Sequence, residues 1–255
     1  MLFSLRRRTE ESAPAGAGTR AVCGTIKRES GFHCLEEGTI IMFVANRMSK
    51  NPITITPDTT VTKAAAIMKA HKINRLPVLE GGKLVGLVSD GDISRVSPSP
   101  ATTLSQYEIS SLLDTLMVKN IMSKRVIAIN AEATIEEAAY LMERNNISGL
   151  PVVSDMGAVV GVITARDILR AFVNMMGLAD GKTRISLYVH DRQGAMEDIS
   201  GVLAKDGVNI DSLVTYKENE SEYEIVIRGD FPDLPLATKH LEEHGYKVAH
   251  TVEIR

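Results

Sequence analysis

The sequence predicts an α/β (α+β) protein made of a duplicated α/β unit followed by a βαββαβ unit. Three observations carry this. Residues 44–95 align with residues 118–170 at an offset of 74, which becomes 75 after one inserted residue near Met156. About 20 identities in some 50 positions mark a duplication rather than chance. Each copy then reads as helix, hairpin and helix. Finally, the formal charge is +1 over residues 1–41, +2 over 42–182 and −6 over 183–255, so an acidic tail unit follows a near-neutral body.

The 255 residues are 44% apolar and 24% charged, which suits a globular chain of one to three domains. A net charge of −3 argues against a basic nucleic-acid binder. No apolar run approaches the roughly 18–20 residues that span a bilayer. Cys23 and Cys34 are too few for a disulfide scaffold or a paired-CxxC zinc site. The expectation is a soluble protein of a reducing cytoplasm, with no membrane and no nucleic-acid partner.

Residues 1–41 hold no helical or strand period and crowd Gly, Ser, Thr, Ala and Arg together. They are expected to be poorly ordered. Met42 precedes the first copy, and Glu36-Glu37-Gly38 can be encoded by a purine-rich stretch like a ribosome-binding site, so translation is expected to start at Met42.

The first copy is expected over 42–102. Ile53-x-Ile55 gives a short strand, and Thr60 opens a helix with Val61, Ala64, Ala65 and Met68 on one face. Strand Leu76–Leu79 turns through Glu80-Gly81-Gly82 into Leu84–Ser89, and a last helix begins at Asp92. The second copy, 118–176, repeats this. It has Ile127-x-Ile129, a helix with Ile135, Ala138, Ala139 and Met142, strands Leu150–Val153 and Val159–Thr164, and a helix from Asp167. Thr134-x-x-Glu137 adds a capping box. One copy alone is too small to bury much core, so two are expected to pack about a pseudo-twofold axis. Between them, after Ser97-Pro98-Ser99-Pro100, residues 103–117 form an amphipathic connector helix.

Gly177-x-x-Asp180-Gly181-Lys182 reads as a linker into residues 183–255. Alternation from Ile185 to Val189 gives a strand, and Asp191-Arg-Gln-Gly194 precedes a helix with Met196, Ile199, Val202 and Leu203. Strands near Val208–Tyr216 and Tyr223–Arg228, a helix from Pro235 and a strand Tyr246–Ile254 complete a ferredoxin-like order.

The repeated motifs resemble a tandem pair of CBS domains. They are Met-Ser-Lys before the first strand, Ile-Asn-Arg-Leu-Pro-Val at 73–78, Ile-Ser-Gly-Leu-Pro-Val at 147–152, and Gly-x-x-Ser/Thr-x-x-Asp at 86–92 and 161–167. Residues 183–255 resemble an ACT domain, with Gln193 where many such domains place proline before the glycine. The order of parts and the Leu-x-x-Tyr-Glu-Ile connector resemble AcuB-type acetoin utilization proteins. The resemblance implies a regulatory protein, not an enzyme, with a CBS pair that senses an adenine nucleotide or nucleoside of the AMP, ADP, ATP or S-adenosylmethionine type. It implies an ACT unit that senses an amino acid or other small metabolite or drives dimerisation, a homodimer, a regulated enzyme, and a link to acetoin or short-chain carbon use.

The same resemblance gives the candidate site. Asp92 and Asp167 would accept from a ribose diol, with Ser89 and Thr164 reaching ribose or phosphate. Arg75 would contact phosphate, its counterpart being Gly149, so the two clefts would be unequal. Ile53, Ile127, Asn74 and Ser148 would wall the base. A carboxylate does suit a diol, and a helix N-terminus suits an anion. On pattern alone, however, Asp at such a turn is also an N-cap, an Arg beside a strand is a solvated charge, and an Ile is core. Two rival readings are a hydrolase or catalytic accessory using His240-x-x-Glu243-His244, which matches an inverted zinc-protease motif, and a scaffold with empty clefts. The motif ends at Gly245 with no third ligand in view, so a helix end with no metal site is expected there. Ser89-Asp90-Gly91-Asp92 lacks the downstream Glu of an EF-hand.

Overall fold

The computed structural model describes residues 22–23, 42–97, 115–178, 182–219 and 221–252. The expected disorder of residues 1–41, apart from strand β1 (Val22–Cys23), and the expected connector helix up to residue 114 lie outside these. The chain divides into two compact units, Met1–Ile163 and Thr164–Arg255.

In the first unit, a short helix α1 (Val44–Arg47) leads into β2 (Ser49–Lys50). Helix α2 (Val61–His71) is capped by the Thr60 hydroxyl, which accepts from the Lys63 amide, and it buries Val61, Ala64 and Met68 on the predicted face. Strands β3 (Arg75–Glu80) and β4 (Lys83–Ser89) form a hairpin. Gly81 and Gly82 both have positive φ, +56° and +78°, as a two-residue turn matched to strand twist requires. Helix α3 (Asp90–Val96) follows. Copy two repeats this with β5 (Ile127–Asn130), α4 (Ile135–Arg144), β6 (Gly149–Val153) and β7 (Val159–Thr164). The Thr134–Glu137 capping box is present as expected.

The copies exchange their leading segments. Strand β2 of copy one pairs antiparallel with β7 of copy two, Ser49 opposite Val162. Reciprocally, Ser123 bridges to Leu87 on β4. The Val44 amide donates to the Ala133 carbonyl and the Val118 amide to the Thr59 carbonyl, each at 2.8 Å. Val118, from the lead of copy two, is fully buried in the core of copy one with Val61, Leu76, Val78 and Ile93. Burying such a side chain contributes about 1.5–3 kcal/mol. The leading segments are therefore exchanged reciprocally between the sheets, and Val118 completes the core of copy one.

The second unit opens with α5 (Ala165–Met175). It continues through β8 (Thr183–His190), α6 (Ala195–Lys205), β9 (Asn209–Lys217), β10 (Glu222–Asp230), α7 (Leu234–Glu243) and β11 (Lys247–Val252). The antiparallel sheet has the order β11-β8-β10-β9, the ferredoxin-like arrangement predicted. Ile185, Leu187, Ile225 and Ile227 point to one face and pack with Ile199, Leu203, Ala237 and Leu241 of the two helices. Among the described residues no helix is long and apolar enough to cross a membrane.

Candidate functional site

The last helix of each copy starts two residues earlier than expected, at Asp90 and Ala165, because Ser89 and Thr164 take the N-cap. The aspartates therefore occupy the third helical position rather than the cap. Asp92 Oδ2 accepts from the Ser89 amide at 2.8 Å and from its hydroxyl at 2.6 Å. Asp167 Oδ2 accepts from the Thr164 amide at 2.9 Å and hydroxyl at 2.7 Å. These are two full capping boxes, and each fixes the direction of its carboxylate.

The second carboxylate oxygen differs between the copies. Arg95 Nη2 donates to Asp92 Oδ1 at 2.8 Å, while among the described residues Asp167 Oδ1 has no such partner. Asp92 is buried and Asp167 half-buried. Any donor approaching this oxygen of Asp92 would have to displace Arg95, whose side chain is 76% exposed. At Asp167 no displacement is needed.

In copy one the ladder brings the expected residues to one end of the hairpin. Arg75 stands opposite Ser89 across β3 and β4, and the Asn74 carbonyl accepts from the Asp90 amide at 2.9 Å. Ile53 is half-buried and packs on the core of copy one. In copy two Ile127 opens β5 half-buried and Ser148 is exposed just before β6.

Arg75 reaches out of its own copy. Its Nη2 donates to Ser148 Oγ at 2.8 Å, and its Nη1 lies over Gly149. A Cβ at Gly149 would fall 1.4 Å from Nη1, so the guanidinium occupies the space a side chain there would need. Counterparts in a twofold repeat meet near the axis, where one large side chain excludes its twin. The Arg75/Gly149 inequality thus has a packing cause that stands beside the expected phosphate contact.

A second device has no local signature in the sequence, although its parts recur there. Met122 lies over Gly86 and Met48 over Gly161, each sulfur 2.3 Å from where a Cβ would stand. The repeated Met-Ser-Lys and Val-Gly motifs are thus two halves of one reciprocal joint.

His240 and His244 are held by structure. His240 Nδ1 lies 2.8 Å from Asp206 Oδ1, and His244 Nδ1 donates to the His240 carbonyl at 2.7 Å, closing the end of α7. Among the described residues no three His, Cys, Asp or Glu groups come together to hold a metal ion. Nearby, Arg192 pairs with Asp198 and donates to the Tyr246 hydroxyl at 2.9 Å. The Arg192 hydrogen bond holds the Asp198 carboxyl below the usual carboxylate range, and burial pushes the Tyr246 hydroxyl up.

The CBS domain family matches residues 44–99 and 118–174, and the ACT domain family matches residues 183–245. A CBS domain-containing protein of Dictyostelium discoideum is 32% identical over 53% of this chain and 94% of its own length. The CBS domain pair of protein MJ0100, solved with 5′-methylthioadenosine and S-adenosyl-L-methionine, is 32% identical, with a TM-score of 0.44 over 52% of this chain and 98% of that one. AcuB of Vibrio cholerae is 27% identical, with a TM-score of 0.45 over 55% of this chain and 97% of that one. The chain spans less than a quarter of the length of the first curated relatives it matches, which are longer enzymes. With two reciprocally joined repeats that match throughout, the chain belongs to the CBS-domain family and carries a tandem CBS pair followed by an ACT domain.

Proposed function

We propose that this protein is a cytoplasmic regulatory sensor, not an enzyme, whose CBS pair binds an adenine nucleotide or nucleoside. The observation that carries the reading is the pair of Ser/Thr-x-x-Asp turns, each with one carboxylate oxygen locked by the cap and the other available, directly or by displacing Arg95, for a diol. In copy one, Ile53 and Asn74 flank the base, Ser89 and Asp92 hold the ribose and Arg75 contacts phosphate. On the strength of the repeat alone, Ile127, Ser148, Thr164 and Asp167 serve a second ligand. The adenosyl compounds in the 32% identical pair of MJ0100 support this ligand class. The ACT unit senses a small metabolite or joins two chains in a homodimer, and the regulated partner is an enzyme, with acetoin or short-chain carbon use as the associated process.

Occupancy matters only if the ligand prefers one arrangement of the pair over another. A thermal-shift series with AMP, ADP, ATP, S-adenosylmethionine and adenosine tests the reading, because a ligand selective for the folded state raises Tm by mass action. Arg75→Ala is expected to cost about tenfold in affinity for AMP, as loss of a charge-assisted hydrogen bond does, and much less for adenosine. Absence of a shift with every adenosyl compound overturns the proposal, and equal losses for AMP and adenosine overturn the phosphate role.

A further inference from the structure

The face of the C-terminal sheet turned away from α6 and α7 holds a buried cation with no counter-charge in contact among the described residues. Alternation along β8 and β10 puts Arg184, Ser186, Val226 and Arg228 on this face, with Arg184 directly opposite Arg228 in the ladder. Arg228 is only 6% exposed, and its Nε and Nη1 have no hydrogen-bond partner among the described residues. The Ser186 hydroxyl, one row along, is 1% exposed and equally unpartnered. Two like charges opposite one another on a strand pair are destabilising, and a buried unpaired charge costs several kcal/mol. Burial and Arg184 together press the Arg228 guanidinium below its usual range. Among the described residues the acid engaged here, Glu224, lies 3.5 Å from Arg184 and not on Arg228. This arrangement sits in the most acidic third of the chain, where carboxylates were available to pair it.

We propose that Arg228, Arg184 and the Ser186 hydroxyl form a binding site for a small oxyanion, the carboxylate or phosphate group of a metabolite, on the second face of the ACT sheet. One anion supplies what the face lacks, a charge between two guanidiniums and an acceptor for the Ser186 hydroxyl. The Arg184 side chain keeps 25% of its surface open and gives the anion a route in. Charge-assisted hydrogen bonds to such a group are roughly twice as strong as neutral ones. The site is separate from the CBS turns and stands whether or not those bind nucleotides.

The test is the melting temperature of the full chain in inorganic phosphate, in acetate and in chloride at equal ionic strength, which removes general screening. The wild type is expected to gain about 4 °C in the bound anion at roughly five times its Kd. Preference between phosphate and acetate identifies which group the site takes. Arg228→Met, which keeps the stem and removes the charge, should abolish the gain while any shift caused by AMP persists. If Arg228→Met does not fold, Ser186→Ala should weaken the apparent anion affinity several-fold. No anion-specific gain in the wild type, or a gain unchanged in Arg228→Met or, failing that, in Ser186→Ala, overturns the site.

Discussion

The two CBS copies descend from one unit, yet they solve the same junction differently. Copy one has Arg75 where copy two has Gly149, and it ties its aspartate to Arg95 where Asp167 keeps one oxygen open. Copy one ends α2 on Lys72 in the left-handed region at φ +53°, and copy two places Asn146 there at φ +51°. Near a twofold axis, symmetry is self-defeating, because equivalent side chains compete for one space. Away from the axis, the Ser89–Asp92 and Thr164–Asp167 capping boxes keep the same bonds because each is a local solution.

The largest effect expected from breaking this comparison lies at the glycines beneath the methionines. Gly86→Ala meets only the flexible Met122 side chain, whereas Gly161→Ala also meets the Ser49 carbonyl of the exchanged strand at 3.0 Å. Overpacking costs about 1–3 kcal/mol, and Gly161→Ala belongs at the top of that range with Gly86→Ala near its foot. Urea melts of both variants check the order, and equal costs would mean that the strand exchange is not tight.

Next come the aspartates. Asp92→Ala removes half a capping box and the Arg95 contact, and Asp167→Ala removes half a capping box alone. Losses of about 1–2 and about 1 kcal/mol follow. A larger loss at Asp167 would show that the open oxygen has a structural partner in solution. Gly149→Ala displaces the Arg75 guanidinium, forfeits its bond to Ser148 and crowds the Ile163 carbonyl at 3.1 Å, a cost of about 1–2 kcal/mol. In an Arg75→Ala background the same substitution should keep only the cost of crowding the Ile163 carbonyl, so a double-mutant cycle isolates the clasp.

A smaller gain runs the other way. Lys72→Asn gives copy one the residue of copy two and should stabilise by roughly 0.5–1 kcal/mol, since Asn tolerates the left-handed region better. The smallest effect lies outside the pair. The lowered Asp198 titration contributes stability that is present above the ordinary carboxylate range and is lost as pH falls through the folded value. Arg192→Gln should therefore lower Tm near pH 7, and the difference from wild type should shrink as pH falls below the ordinary carboxylate range, leaving the part due to the Tyr246 hydrogen bond.

Much of this was legible in the sequence. Duplication, helix faces and the βαββαβ order followed from apolar spacing and turn residues, which are local signals. Thr60 and Thr134 announced their helices because capping chemistry acts over three residues. The starts of α3 and α5 were misplaced because Ser89 and Asp92, like Thr164 and Asp167, are both good caps. Only the backbone shows that the hydroxyl residue caps and the aspartate answers it from inside. The exchange of β2 and the seating of Met48 on Gly161 were not legible, since no local pattern tells a glycine which distant side chain will lie on it. Arg228 was invisible for the same reason: a lone Arg in a strand shows no sign of what faces it across the sheet.

The exchanged strand also sets the order of events as the chain leaves the ribosome. Ser49 has no partner until Val162 has been made, about 110 residues later. At roughly 5–20 residues per second, β2 waits on the order of ten seconds for β7, while Val118, which completes the core of copy one, follows Ser49 sooner, after about 70 residues. Copy one therefore closes its core only after the lead of copy two has been made, whereas copy two finds its exchanged strand already waiting.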